Sequence, residues 1–159
     1  MIFEASALTH AHERSKLACG IYAYILMHIL AEPNIDAVEI ALKRAALHYR
    51  DNEEYAHFAR LFAADFAELD MSEIRSSGYV VDTLEAAVWC LLTTNNYKDC
   101  VLKAVNLGRD TDTVAAIAGG FAGALYWYEA IPQKWRNTLI KREYIETMCE
   151  QAYLSWRGE

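Results

Sequence analysis

The run Asn106-Leu107-Gly108-Arg109-Asp110-Thr111-Asp112-Thr113, continued by Val114-Ala115-Ala116-Ile117-Ala118-Gly119-Gly120-Phe121-Ala122-Gly123-Ala124-Leu125-Tyr126, decides the fold. Gly108 is a natural end for one helix, because a helix closes cheaply on a residue at ease with positive φ. Asp110 to Thr113 then open the next, where side-chain oxygens cap free N–H groups and negative charge is favoured. Two carboxylates and two hydroxyls crowd these four residues, and capping needs only one of them. The surplus of hard oxygen donors points to a hard cation, Mg²⁺ or Mn²⁺. Beyond Thr113 the helix is apolar and carries no charge until Glu129. Ala115, Gly119 and Gly123 fall on one face, which lets a neighbour approach closely. That helix is expected at the centre of the fold.

With 159 residues the chain has the size of one domain, residues 1–159, large enough for a real core. A hydrophobic share of 54% with only two prolines reads as compact and helical. The formal charge of −7 argues against nucleic acid, whose phosphates require a basic face. Cys19, Cys90, Cys100 and Cys149 lack metal-type spacing and read as buried free thiols of a reducing cytosol. No signal peptide opens the sequence, and the longest apolar runs, 18–31 and 114–128, fall short of the ~20 residues of a membrane span. A cytoplasmic protein is the expectation.

In chain order, residues 1–9 are too short for an independent start. The segment Ala7-Leu8-Thr9-His10-Ala11-His12 precedes a long helix, Glu13–Ala31, stopped by Pro33. Asp36-Ala37-Val38-Glu39 has capping-box spacing and predicts a helix over 36–49. Asn52 would cap a third helix to about residue 69, with Tyr55, Phe58, Ala59, Phe62 and Phe66 inward. Ser76-Ser77-Gly78 is a loop. Asp82 opens a fourth helix to about Thr93, Asn95-Asn96 breaks it, and a fifth runs over 98–107. Ile131-Pro132 stops the central helix, and segments 134–140 and 143–156 close the chain. No run alternates as a strand does, so the fold class is all-α with seven or eight helices.

Three places carry chemistry, each with a plain structural alternative. Asp110 and Asp112 either hold one ion, with further carboxylates offsetting the helix dipole, or simply open a well-capped helix. His10 and His12 offer two imidazoles to zinc or to a phosphate, or are structural. Ser76-Ser77-Gly78-Tyr79 is either a loop that cradles phosphate or stacks a base, or an ordinary connection with a packing tyrosine.

These segments together resemble the ADP-ribosylglycohydrolase family. The Asp-Thr-Asp-Thr run with its glycine-rich helix resembles that family's C-terminal motif. Ser77-Gly78-Tyr79-Val80-Val81-Asp82-Thr83-Leu84-Glu85-Ala86-Ala87-Val88-Trp89, Leu8-Thr9-His10-Ala11-His12-Glu13-Arg14-Ser15 and Ile131-Pro132 match it in order and spacing. The resemblance implies an all-α orthogonal bundle with a central cleft that holds two Mg²⁺ or Mn²⁺ ions. It implies hydrolysis of the bond between ADP-ribose and a modified protein side chain or small acceptor. By the same resemblance Asp110, Asp112 and Thr113 are metal ligands, with Asp112 bridging the ions and the two aspartates catalytic. His10 or His12, with Ser77, Gly78 and Tyr79, would line the substrate cleft.

The departures from the family pattern are also specific. Its Gly-Asp-Ala-x-Gly and Thr-Asp-Asp-Thr segments, which supply the other metal ligands, are absent. Arg109 and Trp127 stand where glycine is common. The chain therefore resembles the C-terminal half of such an enzyme: a fragment, a truncated product, or one subunit of a split enzyme. Alone it is expected to be inactive and to pair with a copy of itself or with a separate N-terminal chain. A non-catalytic ADP-ribose or nucleotide binder and a structural protein of the same fold are the alternatives.

Overall fold

Val81, Leu84, Ala86, Ala87, Val88, Trp89, Cys90 and Leu91 put apolar side chains on every side of the latter part of their helix, and such a helix has to be surrounded. The structure, a computed structural model, describes residues 1–158 and surrounds it. Eight α-helices occur among the described residues, and no strand: α1 Ile2–Ala7, α2 Glu13–Ala31, α3 Ile35–Tyr49, α4 Val80–Leu92, α5 Tyr97–Asn106, α6 Thr111–Tyr126, α7 Gln133–Thr138 and α8 Arg142–Arg157. The most enclosed of them is α4, packed on α2, α5 and α6. The apolar helix α6 is therefore not the centre. It buries Val114, Ala118, Phe121, Ala122 and Leu125 but leaves Asp112, Thr113, Ala116 and Gly120 exposed. No helix among the described residues is long and apolar enough to cross a membrane.

The small residues of α6 find their neighbour within this chain. A Cβ on Gly119 would lie 3.4 Å from the Tyr97 hydroxyl, so α5 occupies that stripe. Gly120, on another side, is needed more strictly: a Cβ there would come within 2.6 Å of the Tyr22 hydroxyl of α2. The side chain of Tyr22 in turn packs on Phe121, with ring centroids 4.5 Å apart.

Several local expectations need correction. At the N-terminus, in keeping with a segment too short to stand alone, Ile2–Ala7 form the short α1, which packs on α2. Residues 52–69 are not an α-helix. They form 3-10 turns at Tyr55–Phe58 and Phe66–Glu68, followed by a third at Met71–Glu73. The aromatic spacing that suggests a helix still directs Phe58, Leu61 and Phe66 into the core. Long-range bonds set the backbone instead. The Trp89 indole donates to the Leu69 carbonyl at 3.1 Å, and Arg60 donates to the Glu73 carbonyl at 3.0 Å. Arg60 also grips the buried Glu85 carboxylate of α4 through two guanidinium nitrogens. At the start of α3, Asn34 is the cap and accepts from the Ala37 N–H at 2.9 Å, rather than Asp36. Asn52 serves a turn, accepting from the Glu54 N–H, and α4 starts two residues before Asp82 with no side-chain cap.

Of the four cysteines, all free, only Cys90 and Cys100 are buried; Cys19 and Cys149 are exposed. Burial pushes the Cys90 thiol up to about 12 and the Cys100 thiol up to about 11, so neither forms a nucleophilic thiolate near neutral pH.

Backbone and burial set the expected effects of three substitutions. Trp127 ends α6 at φ 69 and ψ 166, a region reserved almost entirely for glycine, and its ring is more than half exposed. Trp127→Gly should stabilise the fold by about 1 kcal/mol, read as a higher midpoint in urea. Arg60→Met, by contrast, leaves the Glu85 carboxylate buried without its cation and should cost about 3–5 kcal/mol. Glu85→Gln, which keeps a neutral acceptor, should cost less in the same titration.

Candidate functional site

The site is built where α2, α4 and α6 begin. Gly108, at φ 82, turns the chain after α5. The next loop is then tied to the loop before α4 by two hydrogen bonds. The Asp110 N–H donates to the Ser76 carbonyl at 3.1 Å, and the buried Ser76 hydroxyl donates to the Gly108 carbonyl at 2.8 Å. This clamp places Gly78 against Asp110: a Cβ on Gly78 would stand 3.4 Å from Asp110 Oδ2. Asp110 occupies the N-cap position of α6, yet its side chain caps no backbone N–H. Its Oδ1 instead accepts from the Thr113 hydroxyl at 2.8 Å, which orients the carboxylate. The helix dipole favours that negative charge.

A cavity of about 390 Å³ opens between these elements. Its walls include Thr9, His10, Ser15, Cys19 and Tyr22 from the N-terminal region, Gly78 and Thr83 from the α4 side, and Thr113 and Ile117 from α6. Three candidates separated by about a hundred positions in sequence, His10, Gly78 and Thr113, thus share one cavity.

The other candidates take different places. His12 is the N-cap of α2, its Nδ1 accepting from the Arg14 N–H at 3.1 Å. The Ser77 hydroxyl donates to Asp82 at 2.6 Å and accepts from the Tyr79 N–H at 3.1 Å. Tyr79 is exposed, and its hydroxyl accepts from Arg14 at 2.9 Å. Neither Asp110 nor Asp112 is in the cavity lining, and Asp112 is exposed. Asp110 therefore backs the Gly78 wall, whereas Thr113 faces the cavity.

Sequence reasoning missed the residue that fixes Tyr79. Arg14 lies at a hub: its Nε donates to Glu54 at 2.6 Å, and its guanidinium also lies 2.5 Å from His57 Nε2. These partners stand 40 to 65 positions away, so no local pattern signals them.

The donors suit a hard divalent cation in kind, with two carboxylates and a hydroxyl at Asp110, Asp112 and Thr113. They fall short in number, since Mg²⁺ takes about six oxygens. No group of three or more His, Cys, Asp or Glu that could hold a metal occurs among the described residues.

Comparison with known proteins gives the family and the fold. The family model for ADP-ribosylglycohydrolase matches residues 1–159. The ADP-ribosylarginine hydrolase Tri1 of Serratia proteamaculans is 50% identical over 148 residues, which cover 93% of this chain and 38% of that protein. The ADP-ribosyl-[dinitrogen reductase] glycohydrolase of Rhodospirillum rubrum is 28% identical over 145 residues, 89% of this chain and 44% of that protein. A solved structure described as an ADP-ribosylglycohydrolase-related protein complex superposes with a TM-score of 0.69 at 28% identity, covering 91% of this chain and 48% of that one. This chain spans less than half the length of these relatives. With the whole of its sequence matched by the family model and its helices matched in space, the chain belongs to the ADP-ribosylglycohydrolase family.

Proposed function

We propose that the chain forms one wall of a cleft that binds ADP-ribose and serves hydrolysis of its bond to a protein side chain or small acceptor. The observation that carries this reading is the meeting of His10, Gly78 and Thr113 in one cavity, with Asp110 held behind it by the Ser76 clamp. The cavity is of the size small-molecule sites have, mostly apolar with a few polar groups aimed inward. Thr113 would hold both Asp110 and the ligand side of the cavity, while the His10 ring offers a donor or acceptor to a ribose or phosphate oxygen. The relatives named as acting on ADP-ribosylarginine and on dinitrogen reductase support an ADP-ribosylated protein as the partner. ADP-ribosylated arginine is accordingly the first acceptor to test, and a cytoplasmic location accompanies the reading.

Asp110, Asp112 and Thr113 are the residues that would take Mg²⁺ or Mn²⁺. Bound there, such an ion would polarise an oxygen or lower the pKa of a water. Because these donors fill only part of an octahedral sphere, the isolated chain should bind Mg²⁺ weakly, at best in the millimolar range. A second, non-catalytic reading is favoured by that same shortage: the isolated chain then binds ADP-ribose without hydrolysing anything.

The experiment is a calorimetric titration of the purified chain with ADP-ribose, followed by hydrolysis assays on an ADP-ribosylated arginine peptide. ADP-ribose should bind, and His10→Ala and Thr113→Val should each weaken it about tenfold. No binding, or binding indifferent to both substitutions, would remove the cleft assignment. Turnover by the chain alone would discard the binder reading, and micromolar Mg²⁺ affinity abolished in Asp112→Ala would show that the missing ligands lie within it.

Assembly is part of the same proposal. None of the described residues of α8 is buried, and Tyr144, Ile145, Met148, Tyr153 and Trp156 are exposed along it. Soluble monomers rarely leave contiguous apolar area beyond a few hundred Å² uncovered. Light scattering should therefore report a particle larger than one chain, through pairing with a copy or with a separate N-terminal chain. A stable monomer at micromolar concentration would contradict this.

A further inference from the structure

The clamp between Ser76 and the Gly108–Asp110 turn has a second side. Opposite Gly78 it holds Arg75 and Arg109, each adjacent to a clamped residue, at a separate cavity of about 480 Å³. Ser72 and Ser77 also line it. Neither guanidinium has a hydrogen-bond, ion-pair or ring partner among the described residues. Asp82, the carboxylate in this wall, is engaged by the Ser77 hydroxyl and lies in the field of Arg60. Asp110, next to Arg109, is turned to Thr113 and Gly78 instead.

Two exposed arginines at one cavity face a single carboxylate there, Asp82, so the lining carries a net positive charge that a bound anion would balance. The backbone adds to the case, since Arg109 sits at φ 59, a conformation that disfavours every residue with a side chain. Glycine would remove that strain. The arginine that stands there instead lines the cavity. Guanidinium forks match the oxygens of phosphate in pairs, and two of them suit a doubly charged group better than a single carboxylate.

We propose that the Arg75–Arg109 cavity is a binding site for a phosphate-bearing anion of the phosphomonoester or diphosphate class, distinct from the His10–Thr113 cavity. This does not rest on the hydrolase reading, because it requires no catalysis and no metal. The phosphate could be free in solution or be carried by an ADP-ribosyl compound that reaches around the Ser76–Gly78 loop.

The test is calorimetry of the full chain with inorganic pyrophosphate, in chloride buffer of matched ionic strength and without divalent metal. Wild type should bind one pyrophosphate saturably. Arg75→Gln and Arg109→Gln should each weaken binding about tenfold or more. Arg50→Gln, which removes an exposed arginine elsewhere, should leave it unchanged. Arg109→Gly guards against a folding artefact: it removes the guanidinium and relieves the positive φ, so affinity should fall while thermal stability holds or rises. No saturable binding by wild type, or equal losses in Arg50→Gln and the two cavity variants, would overturn the site. A second titration with ADP-ribose assigns the source. Competition with pyrophosphate that disappears in the arginine variants supports the site and gives it to the ADP-ribosyl diphosphate. Independent binding of both ligands supports the site and gives it to free phosphate. Tighter binding of citrate than of pyrophosphate would overturn the phosphate class.

Discussion

A pair of hydrogen bonds holds the business end of this protein together. The Ser76 carbonyl takes the Asp110 N–H, and the Ser76 hydroxyl reaches back to the Gly108 carbonyl. Ser76 is buried, so each of these polar groups would go unsatisfied if the partner moved, at a cost of about 1–3 kcal/mol. The consequence is geometric. Two loops that enter two different helices, α4 and α6, behave as one block. On one side of that block lie Gly78, Asp110 and Thr113, and on the other lie Arg75 and Arg109.

The bundle explains why the clamp stays in place. The helices that leave the two loops, α4 and α6, pack directly on each other and both rest on α2. Gly120 lets the Tyr22 hydroxyl approach α6, and the Gly119 stripe admits Tyr97, so α6 is held from two sides. Beneath, the Arg60–Glu85 pair fastens the 3-10 turns to α4, and Arg14 fastens Tyr79 to Glu54 and His57. The polar bonds at this end therefore rest on a rigid apolar support. The opposite end differs, since α8, with Leu139 and Ile140 in the link before it, leaves large apolar side chains in solvent.

How much was legible in the sequence depends on the range of the interaction. Gly108 as a helix end and residues 110–113 as a helix start depend on local features, and the structure has both boundaries, although the Asp110 carboxylate turns to the Thr113 hydroxyl and caps no backbone N–H. The two positions where glycine is common in the family, Arg109 and Trp127, prove to have positive φ, which is the physical reason glycine suits them. The stretch with Tyr55, Phe58, Phe62 and Phe66 misleads because helical spacing and successive 3-10 turns place nearly the same residues inward. Only the distant partners Trp89 and Glu85 decide between the two backbones. His12 as a cap of α2, and Asn34 rather than Asp36 as the cap of α3, are choices among neighbouring residues that spacing does not separate. The Arg14 hub and the Arg75–Arg109 cavity join residues remote in sequence, and no local pattern marks them.

The clamp can be examined amide by amide. Native-state hydrogen exchange followed by NMR, in wild type and in Ser76→Ala, reads the Asp110 amide directly. This amide should be protected in wild type well beyond an open loop. In Ser76→Ala its protection should fall and the resonances of Gly78, Arg109 and Thr113 should shift together, while those of α3 stay in place. An Asp110 amide that exchanges freely in wild type, or a Ser76→Ala protein whose Gly78 and Thr113 signals do not move, would contradict the claim that this pair of bonds builds the site.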